Sequence, residues 1–419
     1  MKHYKIDIEK NGDFINVGEI FGNNYTDACF VYSKSYLESE QPVPISISMP
    51  LTKEQFSPDI TRNYFSGLLP EGFLRESIAQ NLHINQEDYL SILLILGQEC
   101  LGAIIVYQDD RTKYSAEYIP INKQQIAELA REGATKSISM IQEAHLSLTG
   151  ASGKVGLYLN ESNNKWYLPK YTAPSTHIVK QSHVRLKNIV INELLCTKTA
   201  RRLGINTADA FIIGKEKNGE NILFATKRYD RILSKKKICG LYKPYRLHQE
   251  DFAQALNINN QNKYETDNKT YFKKMIELIN SYSSDPLSDT EKLWKITIFN
   301  ILIGNTDAHI KNFSLLYNSN LNSLRLAPAY DLVSTVIYTE STRNMAFSIG
   351  GERNLDNINF DSLVHQAKQA NINPAIVKRW YDDIYSNFTS ALYKSAEEIG
   401  PVAKKIADKI IRLGGFKNF

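Results

Sequence analysis

Residues 304–317, GNTDAHIKNFSLLY, run straight on from an apolar segment yet place Asp307, His309, Lys311 and Asn312 within six positions. Charged and amide side chains seldom crowd against a buried element unless chemistry holds them there. The interval Asp307-x4-Asn312 is that of protein-kinase catalytic loops, where Asp accepts the substrate hydroxyl proton and Asn holds Mg²⁺. Nineteen residues after Asn312, Asp331 stands in YDLVS behind the strand LRLAP, where a second metal-holding Asp is expected. Hard oxygen ligands of this kind suit Mg²⁺ better than zinc. Taken singly, each Asp or Asn could merely shape a turn.

Three pieces upstream extend the pattern. SLTGASGKVGLYL (147–159) carries Gly150, Gly153 and Gly156, and glycine lets backbone N–H groups approach phosphate oxygens closely. The spacing is not that of a Walker loop, since Leu148 stands where its first Gly would be and Val155 follows Lys154, so a plain β-turn competes with a phosphate loop. Lys180 lies in the strand HIVKQ on the side of Ile178, a position equally suited to a rim residue. Glu193 falls on the helix stripe Ile189–Glu193–Cys196–Ala200, and an acid among apolar positions needs a cation or hydrogen bonds. Lys180, one strand upstream, could be that cation. The ordered set of Gly-rich strand, Lys, helix Glu, Asp-x4-Asn and Asp is hard to ascribe to turns. An Asp307–His309 transition-metal site lacks a second ligand cluster, and no nucleophile elbow is evident.

The rest of the chain sets bounds. Its 419 residues suffice for two or three units, and 42% hydrophobic with 23% charged residues is the composition of a globular protein. The N-terminus lacks the apolar core of a signal peptide, and the longest apolar run, YLSILLILG (89–97), is too short to span a bilayer. Cys29, Cys100, Cys196 and Cys239 are scattered without a CxxC pair, as expected of reduced thiols in a cytoplasmic protein. The net charge of +5 is too mild to imply nucleic acid but suits a phosphate-bearing partner or substrate.

Residues 1–60 alternate short apolar strands with turns, and RNYFSGLLPEGFLRESIAQNL is helical. A polar stretch at 108–145 precedes Gly-containing strands, the helix NIVINELLCTKTARRLG closed by Gly204, and the strand NILFATKRYDRIL. Beyond about 227 the chain reads as mostly helical. The layout is α+β.

IGNTDAHIKNFSLLY resembles the signature loop of the HipA family of bacterial serine/threonine toxin kinases, and LAPAYDLVST resembles their metal-binding segment. SLTGASGKVGLYL, KWYLPKYTAPSTHIVK, NELLCTKTARRLGI, ATKRYDRI and RLHQEDFAQALN follow the family in order, as do NYFSGLLPEG and LGQECLGAI, so the resemblance spans nearly the whole chain. It implies an atypical protein-kinase-like two-lobe fold. Residues 1–107 would form an N-terminal β-rich subdomain fused to the N-lobe, 108–226 the N-lobe with its Gly-rich loop, and 227–419 a mostly helical C-lobe.

Carried over by residue, Asp307 would be the catalytic base, and Asn312 and Asp331 the Mg²⁺ ligands. Lys180 would be the ATP-phosphate lysine, paired structurally with Glu193. Gly150, Ala151, Ser152, Gly153, Lys154, His309 and Lys311 would surround ATP, with Lys227 and Tyr229 in the hinge at 226–229. His309 could instead brace the loop, and Lys311 could be a solvated lysine. Ser147 matches the family's autophosphorylated serine, with Thr149 as the fallback acceptor. The loop reads GASGKVG where the family often has GAQEK, which leaves its phosphate contacts less defined; Lys227 stands where an acid is common, but hinge contacts are largely backbone, so ATP binding need not suffer.

The resemblance further implies a protein substrate, an aminoacyl-tRNA synthetase or another translation factor, and hence growth arrest. It implies a HipB-type helix-turn-helix antitoxin that brings the kinase to operator DNA. Two other functions fit the same motifs: a weakly active co-repressor subunit of the antitoxin–DNA complex, and a small-molecule phosphotransferase.

Overall fold

The structure is a computed structural model that describes residues 1–96, 100–108, 116–122, 124–126, 154–181, 186–215, 222–266 and 270–418. The chain divides into two compact units, one of residues 1–184, 211–260 and 316–322, the other of 185–210, 261–315 and 323–419.

The first unit is built on antiparallel strands. β1 (Lys2–Lys10), β2 (Asp13–Gly22), β3 (Cys29–Tyr32) and β4 (Ile104–Tyr107) form a sheet in the order β3-β2-β1-β4. Tyr4, Ile6 and Ile8 bury one face of β1, as two-residue periodicity requires. The β1–β2 turn is Asn11-Gly12, both in the left-handed region, the pair that a tight hairpin favours. The helices Pro58–Ser66 and Tyr89–Leu96 follow, the second with Tyr89, Leu90, Ile92, Leu93 and Leu96 buried.

A second sheet joins β5 (Glu117–Ile121), β6 (Lys154–Asn160), β7 (Lys165–Lys170), β8 (His177–Gln181), β9 (Ala210–Lys215) and β10 (Ile222–Lys227) in the order β5-β7-β6-β8-β10-β9. The expected strand NILFATKRYDRIL is broken at 228–230, and the chain does not turn helical after 227. It makes a hairpin of β11 (Arg231–Ile238) and β12 (Leu241–Arg246) instead. Ile238 and Leu241 of that hairpin pack with Tyr118, Tyr158 and Ala173.

The break at 228–230 has a physical cause. Arg228 grips the Asp230 carboxylate with two bonds, Nε–Oδ1 at 2.9 Å and Nη2–Oδ2 at 2.7 Å, and Arg231 Nη1 adds a third at 2.7 Å. Arg231 Nη2 donates to the Cys100 carbonyl at 3.2 Å, and the Gly102 N–H to Asp230 Oδ2 at 3.2 Å. The two arginines hold the buried Asp230 carboxyl below its ordinary range against the opposing effect of burial. The motifs ATKRYDRI and LGQECLGAI thus meet in one buried charge cluster.

The second unit is mainly helical, with helices Ile189–Arg202, Tyr271–Tyr282, Pro286–Ile303, Phe360–Gln369, Pro374–Ile399 and Pro401–Leu413. Helix Ile189–Arg202 ends as expected, with Gly204 at φ +76° just beyond it. Among the described residues no helix is long and apolar enough to cross a membrane. Cys29, Cys100 and Cys196 are buried, Cys239 is exposed, and none of the four forms a disulfide.

Candidate functional site

Helix Pro286–Ile303 delivers the Asp-x4-Asn loop. Asp285 caps its start by accepting from the Ser288 N–H at 3.3 Å, Pro286 fits the first turn, and the last eight residues, Ile296–Ile303, are all buried. Gly304 ends it at φ +68°, where a β-carbon would lie 2.3 Å from Val336 Cγ2. The Gly304 carbonyl accepts from Thr335 N at 3.1 Å, Val336 N at 3.2 Å and Thr335 Oγ1 at 3.0 Å. Thr306 N returns a bond to Thr335 Oγ1 at 2.8 Å. The root of the Asp307 loop and the segment following Asp331 are therefore one hydrogen-bonded body.

Two buried asparagines complete it, and sequence reasoning missed both. Asn305 Nδ2 donates to Asn300 Oδ1 at 3.0 Å and to the Asp331 carbonyl at 3.2 Å. Asn192, on helix Ile189–Arg202, donates to the Ser334 carbonyl at 2.8 Å and accepts from the Ser334 N–H at 3.1 Å. Asp331 itself sits at φ +51°, a left-handed conformation that Asp tolerates better than most residues, and is half-buried.

From Ile301 to Lys311 every residue is buried except Asp307, which is exposed. Its backbone is fixed: the Asp307 carbonyl accepts from His309 N at 2.7 Å and from Asn312 Nδ2 at 3.0 Å. The Asn312 amide nitrogen is thus spent on the Asp307 carbonyl. Tyr264 Oη donates to Asp307 Oδ1 at 2.5 Å, a contact absent from the sequence expectations. His309 is 8% exposed and packs edge-on against the Tyr264 ring. Lys311 is 7% exposed, so it is no solvated lysine; its carbonyl accepts from Tyr330 Oη at 2.8 Å.

In the first unit, Lys154 on β6 and Lys180 on β8 are directly opposite in register. Lys154 is buried and Lys180 half-buried on the Ile178 side of its strand. Lys227 is exposed and paired with Glu161 at 2.7 Å, while Tyr229 is half-buried. Glu193 is buried in the second unit on a helix stripe with Cys196 and Ala200. Burial pushes the Cys196 thiol up to about 12, an inert core position. Ser147, Thr149, Gly150, Ala151, Ser152 and Gly153 lie outside the described residues, and Gly156 is inside β6.

Among the described residues no cluster of three or more His, Cys, Asp or Glu is placed to hold a metal ion. Mg²⁺ in nucleotide sites needs only one or two protein ligands, the remainder being phosphate and water. Asn312 and Asp331 fit that requirement by donor chemistry.

Residues 146–392 match the HipA-like C-terminal domain and residues 13–107 the HipA N-terminal domain. Y4mE of Sinorhizobium fredii, a protein named for kinase activity, is 31% identical over 412 residues, which is 96% of this chain and 93% of its own. The serine/threonine-protein kinase toxin HipA of Shewanella oneidensis is 25% identical over 354 residues, 81% of this chain and 78% of that one. A chain from the complex of Shewanella oneidensis HipA, HipB and operator DNA superposes with a TM-score of 0.79 at 20% identity, covering 99% of this chain and 97% of that chain. The likeness shows the fold, mixed α+β and kinase-like.

Proposed function

The chain belongs to the HipA family, and from that premise we propose that it is an ATP-dependent serine/threonine protein kinase, the toxin of a toxin–antitoxin pair. The observation that carries this reading is Asp307, the one exposed side chain on an otherwise buried and cross-bonded loop, with Asn312 fixed to its carbonyl. Phosphoryl transfer asks a protein chiefly for positioning and charge stabilisation, and a rigid loop presenting one carboxylate supplies the first. Asp307 would orient the substrate hydroxyl and take its proton. Asn312 and Asp331 would hold Mg²⁺, which neutralises charge on the transferred phosphoryl group. Lys154 and Lys180 would bind ATP phosphates, with Lys180 paired to Glu193; Lys311, His309, Lys227, Tyr229 and the loop 150–153 are proposed as further ATP contacts. The domain limits 1–107, 108–226 and 227–419 are part of the same proposal.

The protein substrate is proposed to be an aminoacyl-tRNA synthetase or another translation factor, and the antidote a HipB-type helix-turn-helix protein bound to operator DNA. The structural neighbour supports that partnership, since its own complex contains HipB and operator DNA. Self-inactivation by autophosphorylation at Ser147, or at Thr149, belongs to the same reading. Incubation of the full chain with labelled ATP, Mg²⁺ and a host lysate tests it. A labelled band that vanishes in Asp307→Ala and Asp331→Ala is expected, because losing one charge-stabilising group costs on the order of 10²–10³ in rate. Near-normal labelling by either variant sinks the assignment.

A further inference from the structure

Asp307 already receives a hydroxyl. Tyr264 Oη lies 2.5 Å from Asp307 Oδ1 and donates to it, although Tyr264 is 39% exposed and Asp307 is exposed too. At such a wet position water competes for the carboxylate, so the contact persists only if the donor is held in place. The next residue holds it. Glu265 is buried; its N–H donates to the Ala346 carbonyl at 2.7 Å and its own carbonyl accepts from Arg353 Nη1 at 2.6 Å. Its carboxylate accepts from Tyr271 N at 2.9 Å and Ser348 Oγ at 2.5 Å. The phenol ring is set edge-on to His309, with centroids 5.4 Å apart, and Lys263 Nζ lies 5.5 Å from its centroid.

A general base works on a hydroxyl within hydrogen-bond reach, and the Tyr264 phenol stands at that distance. We propose that Tyr264 is a placeholder for the substrate hydroxyl: in the resting kinase it occupies the acceptor position on Asp307, keeps water off the base, and yields to the serine or threonine of a protein substrate. The inference rests on Asp307 being the base. The reaction it suppresses is ATP hydrolysis. There a water proton passes to the Asp307 carboxylate, the water oxygen bonds to the γ-phosphorus, the bond from that phosphorus to the β–γ bridging oxygen breaks, and ADP leaves with the electron pair.

The test compares full-length protein with Tyr264→Phe, which loses the hydroxyl and keeps the ring, in Mg²⁺ and ATP without any protein acceptor. Release of inorganic phosphate is expected to rise about tenfold in kcat with the KM for ATP unchanged, since a hydrogen bond to a charged group is worth at least that factor. Tyr264→Leu must show the same gain. A structural lesion would lower kcat or raise KM, so unchanged or slower hydrolysis in both variants overturns the placeholder. Phosphate found on Tyr264 by mass spectrometry overturns it as well, because the phenol would then be an acceptor. Asp307→Asn, run in parallel, separates the two claims. If it hydrolyses ATP as fast as the parent, the base assignment falls and the placeholder with it; if it is inactive while Tyr264→Phe gains nothing, the placeholder falls alone.

Discussion

Gly304 adopts φ +68°, and the space a β-carbon would take is filled by Val336 Cγ2 at 2.3 Å. Alanine there meets both the left-handed penalty, roughly 1–2 kcal/mol, and a clash with the segment that stitches the two loops. Gly304→Ala is expected to lower the melting temperature and to slow phosphate transfer, and unchanged values for both would refute the stitched-loop account. Glu250, buried in the first unit, accepts from Ser46 Oγ at 2.5 Å, Ile47 N at 3.1 Å and Tyr317 Oη at 3.4 Å. Burial nevertheless pushes its carboxyl up from 4.5 to about 7. The folded state therefore keeps a proton that the unfolded chain has lost, and stability falls as pH rises from about 4.5 to about 7. Buried His248, pushed down to about 4, has the opposite slope below 6.5 and is common to parent and variant. Glu250→Gln should match the parent near pH 4.5 and exceed it in stability above pH 7; denaturation midpoints that run parallel across that window would contradict this. At this scale Asp307, Asn312 and Asp331 were legible because their spacing is set by one loop and one strand. Tyr264 was not, being 43 residues from the carboxylate it touches.

Elements decide whether Asp331 stays where the proposed metal site needs it. Helix Ile189–Arg202 reaches that segment through Asn192, which makes two bonds to the Ser334 backbone across 142 residues of sequence. Groups that orient a metal ligand are worth about 10–100-fold in metal affinity or activity. Asn192→Ala should raise the Mg²⁺ concentration for half-maximal transfer by about that factor, with little change in KM for ATP measured at saturating Mg²⁺. An unaltered Mg²⁺ titration would show that Asn192 is only core. Helix and strand types were readable where periodicity was strong, as in β1 or the helix closed by Gly204. They were not readable after 227, because β11 carries Ser234, Lys235, Lys236 and Lys237 in a row and only Arg231 of the strand is buried. A hairpin with one thin apolar edge leaves no alternation for sequence reasoning to find. Nor could the sequence show that three charges of KRYDR, Arg228, Asp230 and Arg231, are spent on a buried cluster.

The first unit is tied together by charges buried between segments far apart in the chain. Arg246 on β12 donates through Nη1 to Glu9 Oε2 on β1 at 3.0 Å, its backbone N–H reaches the same oxygen at 3.2 Å, and both side chains are 0% exposed. Glu9 lies near the start of the chain and Arg246 237 residues later, so no local pattern could announce the pair. Sequence reasoning found only short strands and turns over residues 1–60 and assigned Glu9 no side; the structure buries it against Arg246. With the Arg228–Asp230–Arg231 cluster reaching Cys100 and Gly102, this makes the N-terminal strands part of the first unit's core. Removing one member of such a pair leaves a buried charge without its partner, at a cost of about 3–5 kcal/mol, whereas replacing both by apolar residues is often neutral. Glu9→Leu and Arg246→Met should each lower the urea midpoint sharply, and the double variant should recover a large part of the loss. A double variant whose destabilisation equals the sum of the two singles would mean that the pair is not coupled.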